Sequence, residues 1–236
     1  MNQEIDKPLV SVIVPVFNAA KYLDEAIGSI LSQTYPNVEV IAVNDGSTDV
    51  SLNILEKYSS RITIIDSTNK GTPAARNLGI QAAKGSYLAF LDADDIWHHE
   101  KLSVQLNMFD KTPNLDMTYC SFEEFLSPDL SAEQQARRVV KPGVLSVAVP
   151  GTTLILRASF DSVGSFSETR RSGEFIDWYA RAEEIGLKIV PTNHCHYRRR
   201  SHADNQTLRL ESLHQDYMEV VREALRRRRE FKNNTE

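Results

Sequence analysis

The feature that most constrains the fold is a run of mostly apolar residues, LVSVIVPVF, from Leu9 to Phe17. The run is continuous rather than alternating, which is typical of a strand buried on both faces in a parallel sheet. Three more short apolar runs follow, separated by helical patterns, and this alternation predicts a doubly wound, mostly parallel α/β sheet. The predicted elements are helices over Lys21–Gln33, Val50–Tyr58 and Pro73–Ala83, and strands over Val38–Val43, Ile62–Ile65 and Ser86–Leu91.

The alternation weakens after about residue 113, although no repeat or low-complexity linker marks a boundary. We therefore predict a single domain over residues 1–205, followed by a C-terminal helix and tail over residues 206–236. The predicted elements here are strands over Met117–Phe122, Thr152–Leu156 and Lys188–Val190, a polar surface loop over Ser127–Lys141, a helix over Glu174–Ile185 ended by Gly186, and a long amphipathic helix over Leu208–Phe231.

The composition of the chain limits which binding partners and which cellular compartment we expect. The net charge of −5 gives no reason to expect nucleic acid as a partner. The two cysteines, Cys120 and Cys195, are far apart and in no metal-like spacing, which fits free thiols in a reducing compartment. The first residues lack the apolar segment of a secretory signal, and no apolar run reaches about 18 residues. We expect a cytoplasmic protein that is at most peripheral to a membrane.

Polar residues fall at the carboxyl ends of the predicted strands, where open α/β sheets bind their ligands. Acidic groups follow two of these strands and predict a shared crevice. The residues are Pro15, Phe17 and Asn18 after the first strand, Asn44, Asp45 and Gly46 after the second, and Asp92, Asp94 and Asp95 after the fourth.

The Asp92-Ala93-Asp94 step is the sharpest local signal. Residues i and i+2 at a strand end point to the same side, so both carboxylates can face one cation. Hard divalent ions bind carboxylates together with phosphate oxygens, and such an ion neutralises the charge of a departing diphosphate. The alternative is that these aspartates cap a helix that begins near Ile96.

Asp45 and Arg76 each admit two interpretations. Asp45 lies in NDGSTD, which is either a turn and helix start or a carboxylate that hydrogen-bonds a base or ribose. Arg76 lies in TPAARN and is either a phosphate partner or a charge on a helix surface.

Taken together, these segments resemble the family 2 glycosyltransferases over roughly residues 8–205. The resemblance is carried by the ordered set VSVIVPVFNAAKYLDEAIGSILSQTYPNVEVIAVNDGSTD, GTPAARNLGIQAAKGSYLAFLDADDIW, VGSF and DWYARAEEIG. It implies a GT-A fold, with a nucleotide-sugar half over about residues 8–113 and an acceptor half over residues 114–205. It also implies a nucleotide-sugar donor, often UDP-linked, a Mg²⁺ or Mn²⁺ cofactor, and inversion at the anomeric carbon.

The same resemblance implies roles for individual residues. Pro15, Phe17 and Asp45 would line the base and ribose, and Ala93 and Arg76 are included among the donor-binding residues. Asp92 would lie near the ribose and metal, with Asp94 as the metal ligand proper. The segment Arg198–Asn205 resembles the closing motif of the family, in which a histidine from a loop reaches the diphosphate and metal. His202 is therefore either a metal ligand or a solvated side chain, and Arg198–Arg200 suit a diphosphate.

The chain departs from the family at the catalytic base. Family members usually carry Glu-Asp at the start of the acceptor-side helix, whereas this chain has Glu174-Phe175. Glu174 and Asp177 are three residues apart and share a helix face, so either could be the base. Two alternatives stay open here: Asp177 has a structural role in the first turn of the helix, or no protein base exists. For the whole chain, the alternatives are a non-catalytic nucleotide-sugar-binding or partner subunit and an unrelated nucleotidyltransferase.

The sequence leaves the acceptor open among a glycan, a lipid-linked sugar and a peptide. The C-terminal helix ends in the basic run Arg226–Arg229. These cations either complement the end of a helix that packs on the domain, or hold the protein peripherally at an anionic membrane.

Overall fold

The computed structural model describes residues 7–138, 140–169, 173–203, 205, 218–220 and 222–227. The strands are β1 (Val10–Val16), β2 (Val38–Asp45), β3 (Thr63–Ser67), β4 (Tyr87–Phe90), β5 (Ile96–Trp97), β6 (Met117–Leu126), β7 (Val144–Leu145), β8 (Thr153–Leu156) and β9 (Ile189–Ser201). The helices are α1 (Leu23–Leu31), α2 (Ser51–Glu56), α3 (Thr72–Ala82), α4 (Lys101–Lys111), α5 (Ala132–Ala136), α6 (Arg157–Val163) and α7 (Glu174–Glu184).

Within these ranges the strands form one sheet in the order β3-β2-β1-β4-β8-β6-β9-β5, and β7 pairs with β6. The first four strands are all parallel, as the sequence predicts. Beyond them β8 is antiparallel to both β4 and β6, β9 is parallel to β6, and β5 is antiparallel to β9. The sheet is therefore parallel in the first half and mixed in the second.

Both faces of β1 are covered, which explains its continuous apolar sequence. Every residue of the strand is buried. Its even-numbered valines pack in one cluster with the apolar side of α1, whereas Ile13 packs on the opposite face with Trp178 of α7. Helices on both sides of the sheet thus bury β1 in the core and leave the ends of the strands uncovered for a site.

The structure corrects three local predictions. No helix begins near Ile96, because Ile96 and Trp97 form β5 and α4 starts only at Lys101. The predicted strand over Lys188–Val190 extends to Ser201, because β6 pairs with it along most of its length. The predicted loop over Ser127–Lys141 contains the short helix α5, which a capping box at Ser131 begins.

The predicted helix over Leu208–Phe231 lies partly outside the described residues. Residues 218–220 and 222–227 are helical, and we call them the C-terminal helical segment. Val220 is buried, and the Arg227 guanidinium lies 2.9 Å from Glu184 and 3.2 Å from Asp177. Of the basic run, Arg228 and Arg229 are outside the described ranges. None of the helices described is both long and apolar enough to span a bilayer.

Lys101 is a fully buried cation at the start of α4. Its Nζ donates to Gln105 Oε1 at 2.8 Å and to the Thr153 carbonyl at 3.2 Å, and it lies 4.0 Å from the centroid of the Trp97 ring. Burial lowers the pKa of Lys101 to about 8. The Lys101 ammonium thus links α4, β5 and β8, and its removal from water costs free energy.

We expect the stability contributed by Lys101 to rise with pH between about 8 and 10.5. In that window the folded state holds the neutral amine while the unfolded chain still binds a proton, so unfolding takes up a proton and becomes less favourable as pH rises. The free energy of unfolding of the wild type minus that of Lys101→Met should increase by up to about 3 kcal/mol across the window. Urea denaturation at several pH values checks this, and a pH-independent difference would contradict it.

Candidate functional site

The loop after β1 is tied to the loop after β2 by Asn18. This residue has a positive φ of 49°, and its side-chain oxygen accepts from the backbone N–H of Thr48 at 2.7 Å. Its own N–H donates to Ser47 Oγ at 3.1 Å. Next to this brace the Phe17 ring is 42% exposed, whereas Pro15 is buried within β1. The two loops therefore form a fixed edge that presents one aromatic ring.

The carboxylate of Asp45 is buried and fixes the turn into α3. Its two oxygens accept from the backbone N–H groups of Lys70 and Gly71, each at 2.8 Å. Gly71 has a φ of 93°, which favours glycine at this position. A cavity of about 190 Å³ lies beside this turn, lined by Asp45, Ser67, Lys70, Asn77 and Glu168 among others.

Arg76 joins the two halves of the chain. Its side chain is 3% exposed, so the prediction of a surface charge is wrong. One guanidinium nitrogen donates to Asp92 Oδ1 at 2.6 Å, and another donates to Glu174 Oε1. Burial lowers the pKa of Arg76, but Asp92 and Glu174 raise it by more, so the guanidinium keeps its charge. Arg76 therefore holds the end of β4 beside the start of α7.

His202, which directly follows β9, reaches the acidic end of β4. Its Nε2 lies 2.8 Å from Asp94 Oδ2, and its ring centroid lies 4.6 Å from that of Tyr22. The backbone N–H of His202 donates to the side chain of Asn205, which donates in turn to the Arg200 carbonyl at 3.1 Å. Because His202 is buried, the prediction of a solvated histidine is wrong.

Residues 92–95 form the acidic loop that follows β4. Asp95, the third aspartate of this loop, anchors it to β9. Its carboxylate accepts from the Tyr197 hydroxyl and from the backbone N–H of Arg200, the latter at 2.7 Å. Burial, followed by the charges of Asp94 and Asp92, raises the pKa of Asp95 well above its usual value. The sequence marks Asp95 only as a strand-end residue and does not reveal this structural role.

The arginines of β9 form ion pairs with acidic side chains, and their contact with a diphosphate stays a prediction. Arg198 and Arg199 lie 2.9 Å and 3.5 Å from carboxylate oxygens of Glu123 and Glu124 on β6. The buried Arg200 guanidinium pairs with Glu25 and donates to the Asp94 carbonyl at 2.9 Å. Arg198 and Arg199 thus join β9 to β6, whereas Arg200 holds the acidic loop against β9.

The pair Asp94 and His202 fits a divalent ion. The Asp94 side chain is 29% exposed, so its carboxylate meets solvent at the carboxyl end of β4, and Asp92 lies in the same loop with its side chain half-buried. Ions bound with nucleotides use only one or two protein ligands and fill the remaining positions with phosphate and water. A carboxylate beside an imidazole is a donor pair that a transition-metal dication such as Mn²⁺ accepts, whereas oxygen donors alone favour Mg²⁺.

The two candidate bases have different surroundings. Glu174 is buried, and Arg76 pairs with both Glu174 and Asp92. This shared partner brings Glu174 beside the acidic end of β4. Asp177 is also buried, and its oxygens lie 3.1 Å from Arg181 and 3.2 Å from Arg227 of the C-terminal helical segment.

Phe175 stands where the resemblance places the usual carboxylate of the family. It is 4% exposed and packs against Phe166 and Trp178, with ring centroids 6.4 and 6.1 Å away. The ring therefore belongs to the core beneath α7.

Residues 11–164 match the sequence profile of the family described as Glycosyl transferase family 2. The chain belongs to this family. An uncharacterized glycosyltransferase from Rickettsia prowazekii (strain Madrid E) is 36% identical over 180 residues, which are 72% of this chain and 57% of the relative. The chain thus spans a little over half the length of that relative, and smaller shares of several others.

Solved structures confirm the GT-A type of fold for this family member. S. aureus TarS 1–349 in complex with UDP-GlcNAc superposes with a TM-score of 0.72 at 25% identity, covering 92% of this chain and 65% of that one. The mannosyltransferase PcManGT from Pyrobaculum calidifontis, in complex with GDP-Man and Mn²⁺, has a TM-score of 0.65 at 19% identity and covers 84% of this chain and 58% of that one.

Proposed function

We propose that this family 2 member is an inverting glycosyltransferase that moves a sugar from a nucleoside-diphosphate sugar, UDP-linked, to an acceptor hydroxyl. The observation that carries the proposal is the contact between His202 and Asp94, which joins the closing motif to the acidic end of β4. A UDP-linked donor is supported by the likeness to TarS, which has been solved with UDP and with UDP-GlcNAc.

The donor would lie in a crevice along the carboxyl ends of β1, β2 and β4, which we call the donor crevice. In this proposal the exposed Phe17 ring and the buried Pro15 line the base, and Asp45 accepts from the base or ribose through lone pairs that its two backbone contacts leave free. Ala93, between its acidic neighbours, would lie beside the ribose. Asp94 and His202 would hold Mn²⁺ or Mg²⁺, which supplies positive charge to the diphosphate as it departs.

The acceptor would enter from the side of α7. Glu174 is our candidate for the group that takes the proton from the acceptor hydroxyl, because Arg76 holds it beside Asp92. Asp177 stays the second candidate, although two arginines hold it. The reaction is a direct displacement, in which positioning and electrostatic stabilisation supply most of the acceleration.

A second candidate function is non-catalytic binding of the nucleotide sugar. One observation favours it: the aromatic ring of Phe175 is buried in the core at the position where the family usually carries its catalytic carboxylate. A protein of this kind would bind the donor without consuming it.

Calorimetric titration of UDP-, GDP- and dTDP-sugars, with and without Mn²⁺, separates these functions when nucleotide release is followed in parallel. We expect a UDP-sugar to bind in a Mn²⁺-dependent way and to be hydrolysed slowly, with UDP and free sugar as products. Tight binding of a UDP-sugar without any release of UDP, in the presence of an acceptor panel of glycans, lipid-linked sugars and peptides, would favour the binding function. Preference for a GDP-sugar would correct the donor assignment alone.

A further inference from the structure

A second group of metal-ligating side chains lies away from the donor crevice, at the edge of the sheet formed by β5 and β9. Four imidazoles stand in a column there, and we call His98, His99, His194, His196 and Glu100 the histidine cluster. Ring centroids are 4.2 Å apart for His99 and His98, 5.2 Å for His98 and His196, and 5.4 Å for His196 and His194. The proposed transferase chemistry uses none of these residues.

The antiparallel pairing of β5 with β9 builds the cluster. Trp97 is paired with Tyr197, and directly beyond this pair the His98 N–H donates to the His196 carbonyl at 2.9 Å. The two histidines are thus direct cross-strand neighbours, whose side chains share a face. His194 is two residues from His196 along the strand, so the alternation of strand side chains brings it to the same face.

His196 is the fixed member of the cluster. Its side chain belongs to a residue only 6% exposed, and its Nδ1 is buried without a hydrogen-bond partner in the described part of the chain. A buried polar nitrogen without a partner is unusual and calls for an explanation such as an ion or a water.

We propose that His98, Glu100 and His196 bind a transition-metal dication, Zn²⁺ in particular, at a site separate from the donor crevice. One ligand atom from each residue lies within 4.8 Å of the other two. Tetrahedral Zn²⁺ with ligands at about 2.0–2.1 Å requires ligand atoms about 3.4 Å apart. His98 and Glu100 are exposed, so rotation of their side chains closes this gap while His196 stays in place.

The donor set selects the metal. Two imidazoles and one carboxylate are typical ligands for Zn²⁺, and water completes the four-coordinate shell. Mg²⁺ prefers oxygen ligands and would not compete at this site. The bound ion would fasten β5 to β9. Since β5 follows Asp94 and Asp95, and β9 leads to His202, it would also steady the frame of the donor site.

The test uses metal-free protein prepared with a chelator and titrated with Zn²⁺ by calorimetry and with Co²⁺ by visible absorption. We expect one equivalent of Co²⁺ to give the visible bands of a four-coordinate site, and excess Mg²⁺ to leave them unchanged. His98→Ala and Glu100→Gln should each weaken Zn²⁺ binding by about 100-fold or remove the bands. Both residues are exposed, so these variants keep the fold even if His196→Ala does not.

Two controls locate the ion. His99→Asn changes a neighbouring exposed imidazole outside the proposed ligand set and should leave the Co²⁺ bands intact. Asp94→Ala removes the predicted ligand of the donor site and should also leave them intact. Zn²⁺ affinity that is equal in the wild type, His98→Ala and Glu100→Gln would overturn the proposal, as would Co²⁺ bands that vanish in Asp94→Ala. An absence of any Zn²⁺ binding by the wild type would overturn it directly.

Discussion

Asp94→Ala should abolish sugar transfer and weaken Mn²⁺-dependent nucleotide binding. Asp94 is the carboxylate that contacts His202, and its partly exposed side chain meets the crevice. Without it the departing diphosphate loses its positive partner, and we expect turnover to fall by about 10³-fold or more. The measurement is the rate of UDP release against Mn²⁺ concentration, with UDP affinity measured by calorimetry with and without Mn²⁺.

The control for Asp94→Ala is Asp161→Ala, which removes an exposed carboxylate on α6 whose partner is Arg157. Exposed ion pairs of this kind contribute little to stability, so Asp161→Ala should keep both folding and turnover. His202→Asn should give an intermediate loss, because the amide keeps one lone-pair donor near Asp94. Unchanged turnover in Asp94→Ala would remove the proposed metal site.

The first half of the fold could be predicted because its information is local. The apolar run of β1 and the helical patterns after it are periodic signals that need no knowledge of distant partners. The acidic strand end at Asp92-Ala93-Asp94 is likewise readable, because the topology of an open α/β sheet dictates where ligands bind. The family resemblance then added the nucleotide-sugar donor, which no single motif in the chain specifies.

The second half could not be predicted because its elements depend on distant pairing. β5 has only two residues and exists because β9 lies beside it, so the sequence there suggested a helix start. From its sequence alone, the basic end of β9 resembles a loop. In the structure it is a strand, with Glu123 and Glu124 of β6 opposite its arginines. Arg76 shows the same limit, since its partner Glu174 lies 98 residues away in the chain. Only this distant partner makes Arg76 a buried ion-pair residue instead of an exposed charge on a helix.

Asn77 is a site-supporting residue that the sequence analysis missed. Its side chain accepts from the Phe166 N–H at 3.1 Å and donates to the Phe166 carbonyl at 2.9 Å. It also donates to Glu168 at 2.8 Å. The sequence carries no local signal of this role, because the partner Phe166 lies 89 residues away in the chain.

Glu174→Gln should bind the donor as the wild type does but lose transfer to the acceptor. The amide keeps the shape of the carboxylate and can still accept from Arg76, but it cannot take a proton. We expect a loss of about 10²–10⁴-fold, the usual contribution of a general base. The loss should be smaller for a thiol acceptor, which ionises near neutral pH without help. Donor affinity by calorimetry, measured separately, tests whether the neighbouring Asp92 keeps its place.

Asp177→Asn is the matched variant, because it changes a carboxylate of the same helix in the same way. Arg181 and Arg227 hold Asp177, so we expect a loss of stability rather than of chemistry. Transfer rates against pH for the wild type and both variants, together with thermal melts, separate the two effects. Full activity in Glu174→Gln with an inactive, folded Asp177→Asn would move the role of the base to Asp177. Activity that persists in both would mean that the acceptor supplies its own base.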